Sequence, residues 1–230
     1  MTHADPDAVG RPQPRVLLLY YSYTGQTRSM LTAAGDVFAA HGYAVDEAAI
    51  EFTDDRYARR FTRFPMARVW PDMLSVLPAQ VRKKTGSIRV PDFVTERRYD
   101  LVCIGSPTWW SAPAMPIRSF LTSPVARQVL AGSAFAVFVV CRDSWRGNLK
   151  EVRAQGRWQG GRYLGSFVTT YPGGQLRSML SLTSYLGSGE YRKSYLGVPI
   201  PMTNIGPDDL IRVREFAEDI CDQLTTAGSA

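Results

Sequence analysis

Three stretches of the chain are apolar at every position rather than at every second one. Val16, Leu17, Leu18, Leu19, Tyr20 and Tyr21 form the first; Leu101, Val102, Cys103 and Ile104 the second; Phe135, Ala136, Val137, Phe138, Val139 and Val140 the third. Short runs of continuous hydrophobicity mark strands buried on both faces, as in a parallel sheet. Residues 163–170 make a weaker candidate, and residues 43–50 another that belongs nearer an edge. In chain order the five strands begin near Val16, Tyr43, Leu101, Phe135 and Tyr163.

Between them the period changes to that of a helix. After Thr27, apolar residues recur at Met30, Leu31, Ala34, Val37 and Phe38, and Gly42 stands where a C-cap belongs. Residues 114–121 form a second helix. The last covers 207–224, with Pro207 in its first turn and Asp208 and Asp209 complementing the dipole. Its apolar face is Leu210, Val213, Ala217, Ile220 and Leu224. Strand–helix alternation predicts one three-layer α/β domain over residues 15–226, preceded by a disordered tail at 1–14.

Two segments break this rhythm. Residues 52–90 are far longer than a compact crossover needs. They carry nine basic residues (Arg56, Arg59, Arg60, Arg63, Arg68, Arg82, Lys83, Lys84 and Arg89) against Asp54, Asp55 and Asp72. Their excess equals the net charge of the whole chain, +6, so the rest is electrically balanced. Tyr57, Phe61, Phe64, Trp70, Met73 and Leu74 are interleaved with those charges. Such a segment either approaches an anion or coats a solvated helical face. The second segment, 171–201, reads as an irregular loop rich in Gly, Ser and Tyr, and holds Arg177, Arg192 and Lys193.

The three cysteines, Cys103, Cys141 and Cys221, are widely spaced, which suggests neither a disulfide framework nor a metal site. No apolar run approaches the ~20 residues needed to span a bilayer, and the N-terminus does not resemble a signal peptide. A soluble cytoplasmic protein is expected.

The chemistry concentrates at the ends of the strands. Ser22, Tyr23, Thr24, Gly25, Gln26 and Thr27 lead from the first strand directly into a helix. Hydroxyls and a glycine at a helix N-terminus suit a phosphate held by dipoles; a Ser/Thr N-cap is the alternative. The loop has no lysine, which excludes a nucleoside-triphosphate loop, and it lacks the dinucleotide glycine pattern. After the third strand, Gly105, Ser106, Pro107, Thr108, Trp109, Trp110, Ser111, Ala112 and Pro113 read as a Pro-flanked loop. Two adjacent tryptophans there offer a surface on which a flat ring can stack, or one packs on the sheet and the other faces out. After the fourth strand come Cys141, Arg142, Asp143, Ser144 and Trp145. Cys141 reads as the end of a buried strand rather than a nucleophile, since neither His3 nor His41 lies near it in sequence. Arg142 and Asp143 are either an exposed pair or functional.

Taken together, these loops make the sequence resemble the flavodoxin-like FMN-binding family. Ser22-x-Thr24-Gly25-x-Thr27 after an apolar strand looks like that family's phosphate loop. The run from Leu101 to Trp109, entered through Tyr99-Asp100, looks like the strand leading into its second flavin loop. Residues 141–145 match the third loop by position only. The resemblance implies a five-stranded parallel sheet of order 2-1-3-4-5, with the basic insertion after the second strand. It implies non-covalent FMN, cradled at the phosphate by Ser22, Tyr23, Thr24, Gly25, Gln26 and Thr27. Ser106, Pro107, Thr108, Trp109 and Trp110 would flank the ribityl chain and ring, and Cys141, Arg142, Asp143 and Ser144 would approach the pyrimidine edge. Gln26 stands where the family often has Asn.

The family includes small one-electron carriers with acidic surfaces and reductases that take hydride from NAD(P)H and reduce quinones. The basic insertion argues for the second use, with NAD(P)H as donor and a quinone as acceptor. A flavodoxin reduced by a partner reductase is one alternative, and a basic module that docks on a membrane surface or a polyanion is another. No nucleic-acid partner is expected, contact of the insertion with a membrane surface is open, and so is self-association.

Overall fold

The computed structural model describes residues 13–202 and 205–228. The expected tail at 1–14 therefore falls mostly outside the described residues. Gln13 and Pro14 are tied down: Gln13 Nε2 donates to the Gly42 carbonyl at 3.0 Å, and the Pro14 carbonyl accepts from Ala44 N–H at 2.8 Å.

In chain order the elements are β1 (Arg15–Tyr20), α1 (Gln26–Ala40), β2 (Ala44–Ala49), β3 (Glu51–Phe52), a 3₁₀ turn (Ala58–Arg60), α2 (Val69–Val81) and β4 (Ile88–Arg89). There follow α3 (Phe93–Glu96), β5 (Leu101–Trp109), β6 (Ala112–Pro113), α4 (Met115–Leu121), α5 (Pro124–Leu130) and β7 (Ala134–Cys141). The chain ends with α6 (Arg146–Trp158), β8 (Arg162–Thr170), α7 (Gln175–Ser188), β9 (Ser194–Tyr195), β10 (Val198–Pro199) and α8 (Pro207–Gly228).

The main sheet has the order β2-β1-β5-β7-β8, all parallel, with β6 added antiparallel to the end of β5. Counting only the five long strands, this is the expected 2-1-3-4-5. The strands with unbroken apolar runs, β1, β5 and β7, are buried along those runs, and β2, partly exposed, lies at the edge. Alternate residues of each strand feed two cores. Leu18, Cys103, Ala136 and Phe138 face α1 and α8, through Met30, Phe38, Val213 and Ile220. Leu17, Val102, Phe135 and Val137 face α4, α5 and α6, through Ile117, Phe120, Val129 and Val152.

Helix α1 stops for the expected reason, with its cap one residue earlier than predicted. His41 is the cap and Gly42 follows in the left-handed region at φ 84°. Gly42 N–H bonds the Ala39 carbonyl and Tyr43 N–H bonds the Phe38 carbonyl, each at 3.0 Å, while the Phe38 and Tyr43 rings pack edge to face.

Two expectations need correction. Residues 106–109 are not loop, because β5 runs on to Trp109 and turns back through a two-residue hairpin. Nor is the 171–201 segment irregular, since it contains the 14-residue helix α7 and the β9–β10 hairpin. Met179, Leu182 and Leu186 do carry the helical spacing, but serines at 178, 181, 184 and 188 hide it. The basic insertion begins and ends on its own small ribbon, with Phe52 paired to Ile88 and Glu51 to Arg89. Among the described residues no helix is long and apolar enough to cross a membrane.

Candidate functional site

Strands β1 and β5 are neighbours, yet their connections leave in opposite directions along the sheet. The crevice at their carboxyl ends is the switch point where α/β sheets bind ligands. The segment 22–27 crosses one side of it. Gly25 holds the N-cap position of α1 at φ 82°, exposed, and a Cβ placed there would meet nothing within 4 Å. No hydroxyl caps the helix from the N-cap position itself; Ser22 Oγ accepts from Arg28 N–H at 3.3 Å from three residues before it. Thr24 and Thr27 turn into the crevice. Gln26 is buried, and its side-chain carbonyl accepts from the Tyr171 hydroxyl at 3.0 Å.

The tryptophan hairpin forms the opposite wall. Trp110 and Ser111 make its turn with φ of 51° and 66°. Positive φ at both central residues is the twist a two-residue hairpin needs, but Asn or Gly normally supplies it. Residues held so persist only where their surroundings determine them, and here the surroundings are a set of buried amides. Asn148, fully buried on α6, accepts from Ser106 Oγ at 2.8 Å. It donates to Thr108 Oγ1 at 2.8 Å and to the Ser106 carbonyl at 3.2 Å. Gln80, buried on α2, donates to the carbonyls of Trp109 at 3.0 Å and Pro113 at 2.7 Å. Arg118 stands behind Gln80, donating to its side-chain carbonyl at 3.2 Å and to Glu151 at 2.6 Å. Gly147 permits this closeness, as a Cβ there would lie 2.2 Å from the Ser111 carbonyl oxygen.

Between the walls lie two adjoining cavities, of about 120 Å³ and 160 Å³. Tyr23, Thr24, Thr27, Pro107, Thr108, Trp109, Trp110, Cys141 and Arg142 line the first, and Asp143 and Ser144 join Trp109 and Trp110 around the second. Four expected site residues are not on these walls. Ser22, Gly25 and Gln26 belong to the phosphate-type loop without lining either cavity, and Ser106 is withdrawn into the Asn148 network. The third loop is also committed elsewhere. Arg142 donates to Gln175 Oε1 at 2.7 Å and Ser178 Oγ at 3.0 Å, and Asp143 accepts from the Gln175 amide. Burial raises the Cys141 thiol, and the nearest described histidine, His41, is occupied by Glu218 at 2.5 Å. Cys141 is a wall, not a nucleophile.

Apart from Val140, the remaining lining of the first cavity comes from the two extra segments, although none of their individual residues was singled out for it by the sequence. Met66, Met73 and Val76 enter from the insertion, Tyr171, Leu182 and Leu186 from the 171–188 stretch. Phe61 lies stacked on Trp109 at 4.5 Å between centroids. Phe61 and Phe64 both pack edge-on to Tyr23, whose hydroxyl donates to the Arg63 carbonyl at 2.5 Å. Burial, with Asp72 nearby, pushes the Tyr23 phenol up to about 12. The basic residues point the other way: Arg59, Arg60 and Arg63 line an outer groove with Asp72, and Arg192 another with Trp70. Arg177 and Lys193 line neither cavity.

No protein-family model matches the chain, and no curated protein matches it. Solved structures do. A flavodoxin from the domain Archaea is 12% identical, covering 92% of this chain and 99% of its own, with a TM-score of 0.51. A structure from Bacteroides eggerthii proposed to be a flavoprotein is 17% identical, over 67% of this chain and 87% of its own, with a TM-score of 0.50. At these identities the likeness is one of fold.

Proposed function

We propose that this chain, whose fold is that of the flavodoxins, binds FMN non-covalently and passes electrons from NAD(P)H to a quinone or similar acceptor. One observation carries the reading: the open glycine loop at the N-terminus of α1 and the strained tryptophan hairpin converge on one apolar crevice at the sheet's switch point.

The residues present fit the cofactor in part as they stand. Segment 22–27 offers a bare glycine, the hydroxyls of Thr24 and Thr27 and the N-terminal dipole of a 15-residue helix to a phosphate. Trp109 and Trp110 offer ring faces, with Pro107 and Thr108 beside them. The ring space is smaller than the ~300–1,000 Å³ of ordinary cofactor pockets, because Phe61 covers Trp109. Seating a flavin ring on Trp109 would require Phe61 to move aside.

FMN, when bound, supplies the hydride and electron transfer. The chain's own part is to bind, orient and exclude water. Thr24 and Thr27 hold the phosphate end, the tryptophans orient the ring, and Met66, Met73, Val76, Leu182 and Leu186 keep the crevice dry. Tyr23 and Cys141 both stay protonated near neutral pH, so neither takes a proton there.

The test begins with visible absorbance after incubation with FMN and gel filtration, followed by NADPH and NADH oxidation with a benzoquinone. Retained flavin bands and turnover support the whole reading. Retained flavin without turnover on either donor reassigns the chain to electron carriage for a partner reductase. Absence of retained flavin overturns the FMN reading.

A further inference from the structure

Helix α2 has two apolar faces. Its inner side lines the site: Trp70, Met73 and Val76 border the cavities, and Ala79 and Gln80 are buried beside them. Its outer side repeats Pro71, Leu74, Pro78 and Val81 at intervals of three, four and three residues, which makes one stripe along the helix. All four are exposed, Leu74 by 48% and Val81 by 69%. A helix lying on a domain in water normally turns polar side chains outward. Asp72 is the single charged residue within α2, so this stripe is presented bare.

The stripe ends in cations. Arg68 immediately precedes the helix, and Arg82, Lys83 and Lys84 immediately follow it, all exposed. Within 52–90, ion pairs join only Lys83 to Glu151 and Arg89 to Glu51 among the described residues. Arg56, Arg59, Arg63, Arg68, Arg82 and Lys84 have no carboxylate within ion-pair distance there. A polyanion would satisfy those charges and leave the stripe wet. A second copy of the chain would cover the stripe but bring the same cations against it. An anionic bilayer surface satisfies both, with headgroups for the frame and the acyl boundary for the stripe.

We infer that the outer face of α2 docks on an anionic lipid surface, lying in its plane along the roughly 20 Å of the helix. The inner face of the same helix roofs the crevice, so docking sets the site one helix thickness from the lipid. The inference stands on the helix and its flanks, without the FMN reading.

Flotation of the full chain with vesicles of phosphatidylcholine, with and without about one-third phosphatidylglycerol, tests it in FMN-free buffer. Binding is expected only to the anionic vesicles and falls with added salt. The Leu74→Glu/Val81→Glu double variant, altered at exposed positions, should keep its thermal midpoint and bind at least about tenfold more weakly. Arg82→Ala and Lys84→Ala should each cost about fivefold. Three results would overturn the inference: no binding to anionic vesicles, undiminished binding by the Leu74/Val81 variant, or self-association abolished by that variant without vesicle binding.

Discussion

The framework and the insertion differ in how they anchor their arginines and aromatic rings. Several framework arginines are paired, while others, such as Arg127, Arg153 and Arg157, make no ion pair among the described residues. Arg118 is almost wholly buried against Glu151, Arg15 and Arg97 share Asp46, and Arg28 reaches Glu47. Framework phenylalanines such as Phe120, Phe135 and Phe138 lie in a closed core. In the insertion most arginines face solvent without a carboxylate, while Tyr57, Phe61, Phe64 and Trp70 are only half-buried. The insertion has too little apolar mass to make its own core, so it uses the carboxyl end of the framework sheet as one. What the framework leaves open at Tyr23 and Trp109, the insertion covers. The joint between the two is polar and buried: Gln80 and the Lys84 carbonyl on one side, Arg118 and Glu151 on the other.

That joint should give the largest effect. Arg118→Leu leaves Glu151 and Gln80 without their buried partner and is expected to cost about 3–5 kcal/mol in urea unfolding. Protease cleavage within residues 52–90 should rise at the same time; a loss under about 1 kcal/mol would mean the joint is not what holds the insertion. Gly147→Ala forces a Cβ against the Ser111 carbonyl oxygen. It should cost about 2–3 kcal/mol and shift tryptophan fluorescence as the hairpin moves. Unchanged fluorescence would show that the hairpin is not held from α6.

Phe61→Ala should cost about 1–2 kcal/mol for its half-buried ring, yet tighten FMN binding several-fold by freeing the face of Trp109. Weaker FMN binding in titration would mean that Phe61 is part of the pocket rather than its cover. Tyr23→Phe removes the hydroxyl bond to Arg63 and should cost about 1 kcal/mol. Because the phenol is raised in the folded state, its contribution is full below the ordinary tyrosine range and is lost as pH rises through about 12. Chemical unfolding of wild type and variant should therefore converge at strongly alkaline pH. Arg59→Ala and Arg63→Ala, unpaired and exposed, should each stay within about 0.5 kcal/mol. A larger loss would reveal pairing that sets the insertion closer to the framework in character.

The periodicities of the chain were enough to place the five long strands, α1, α4 and α8, because burial on both faces or on one stripe is written locally, residue by residue. The loop at Gly25 was legible for the same reason: hydroxyls and a glycine between an apolar run and a helix form a local pattern. Other facts needed the assembled molecule. Nothing near Asn148 in sequence announces that it holds Ser106 and Thr108, forty residues away. Nothing near Phe61 tells that it lies on Trp109, or near Arg142 that its guanidinium is held by Gln175. Met179, Leu182 and Leu186 had the spacing of a helix, but only packing showed which side of it meets the site.

The sequence by itself thus determined the framework, the end of the sheet where the candidate site lies, and the charge of the inserted segment. The tertiary structure decided which face of that segment covers the crevice and which stays outside. Strand and helix patterns arise from neighbours along the chain. The choice between two apolar faces of α2 depends on what Gln80 and Val76 meet across the fold, and no local period contains that.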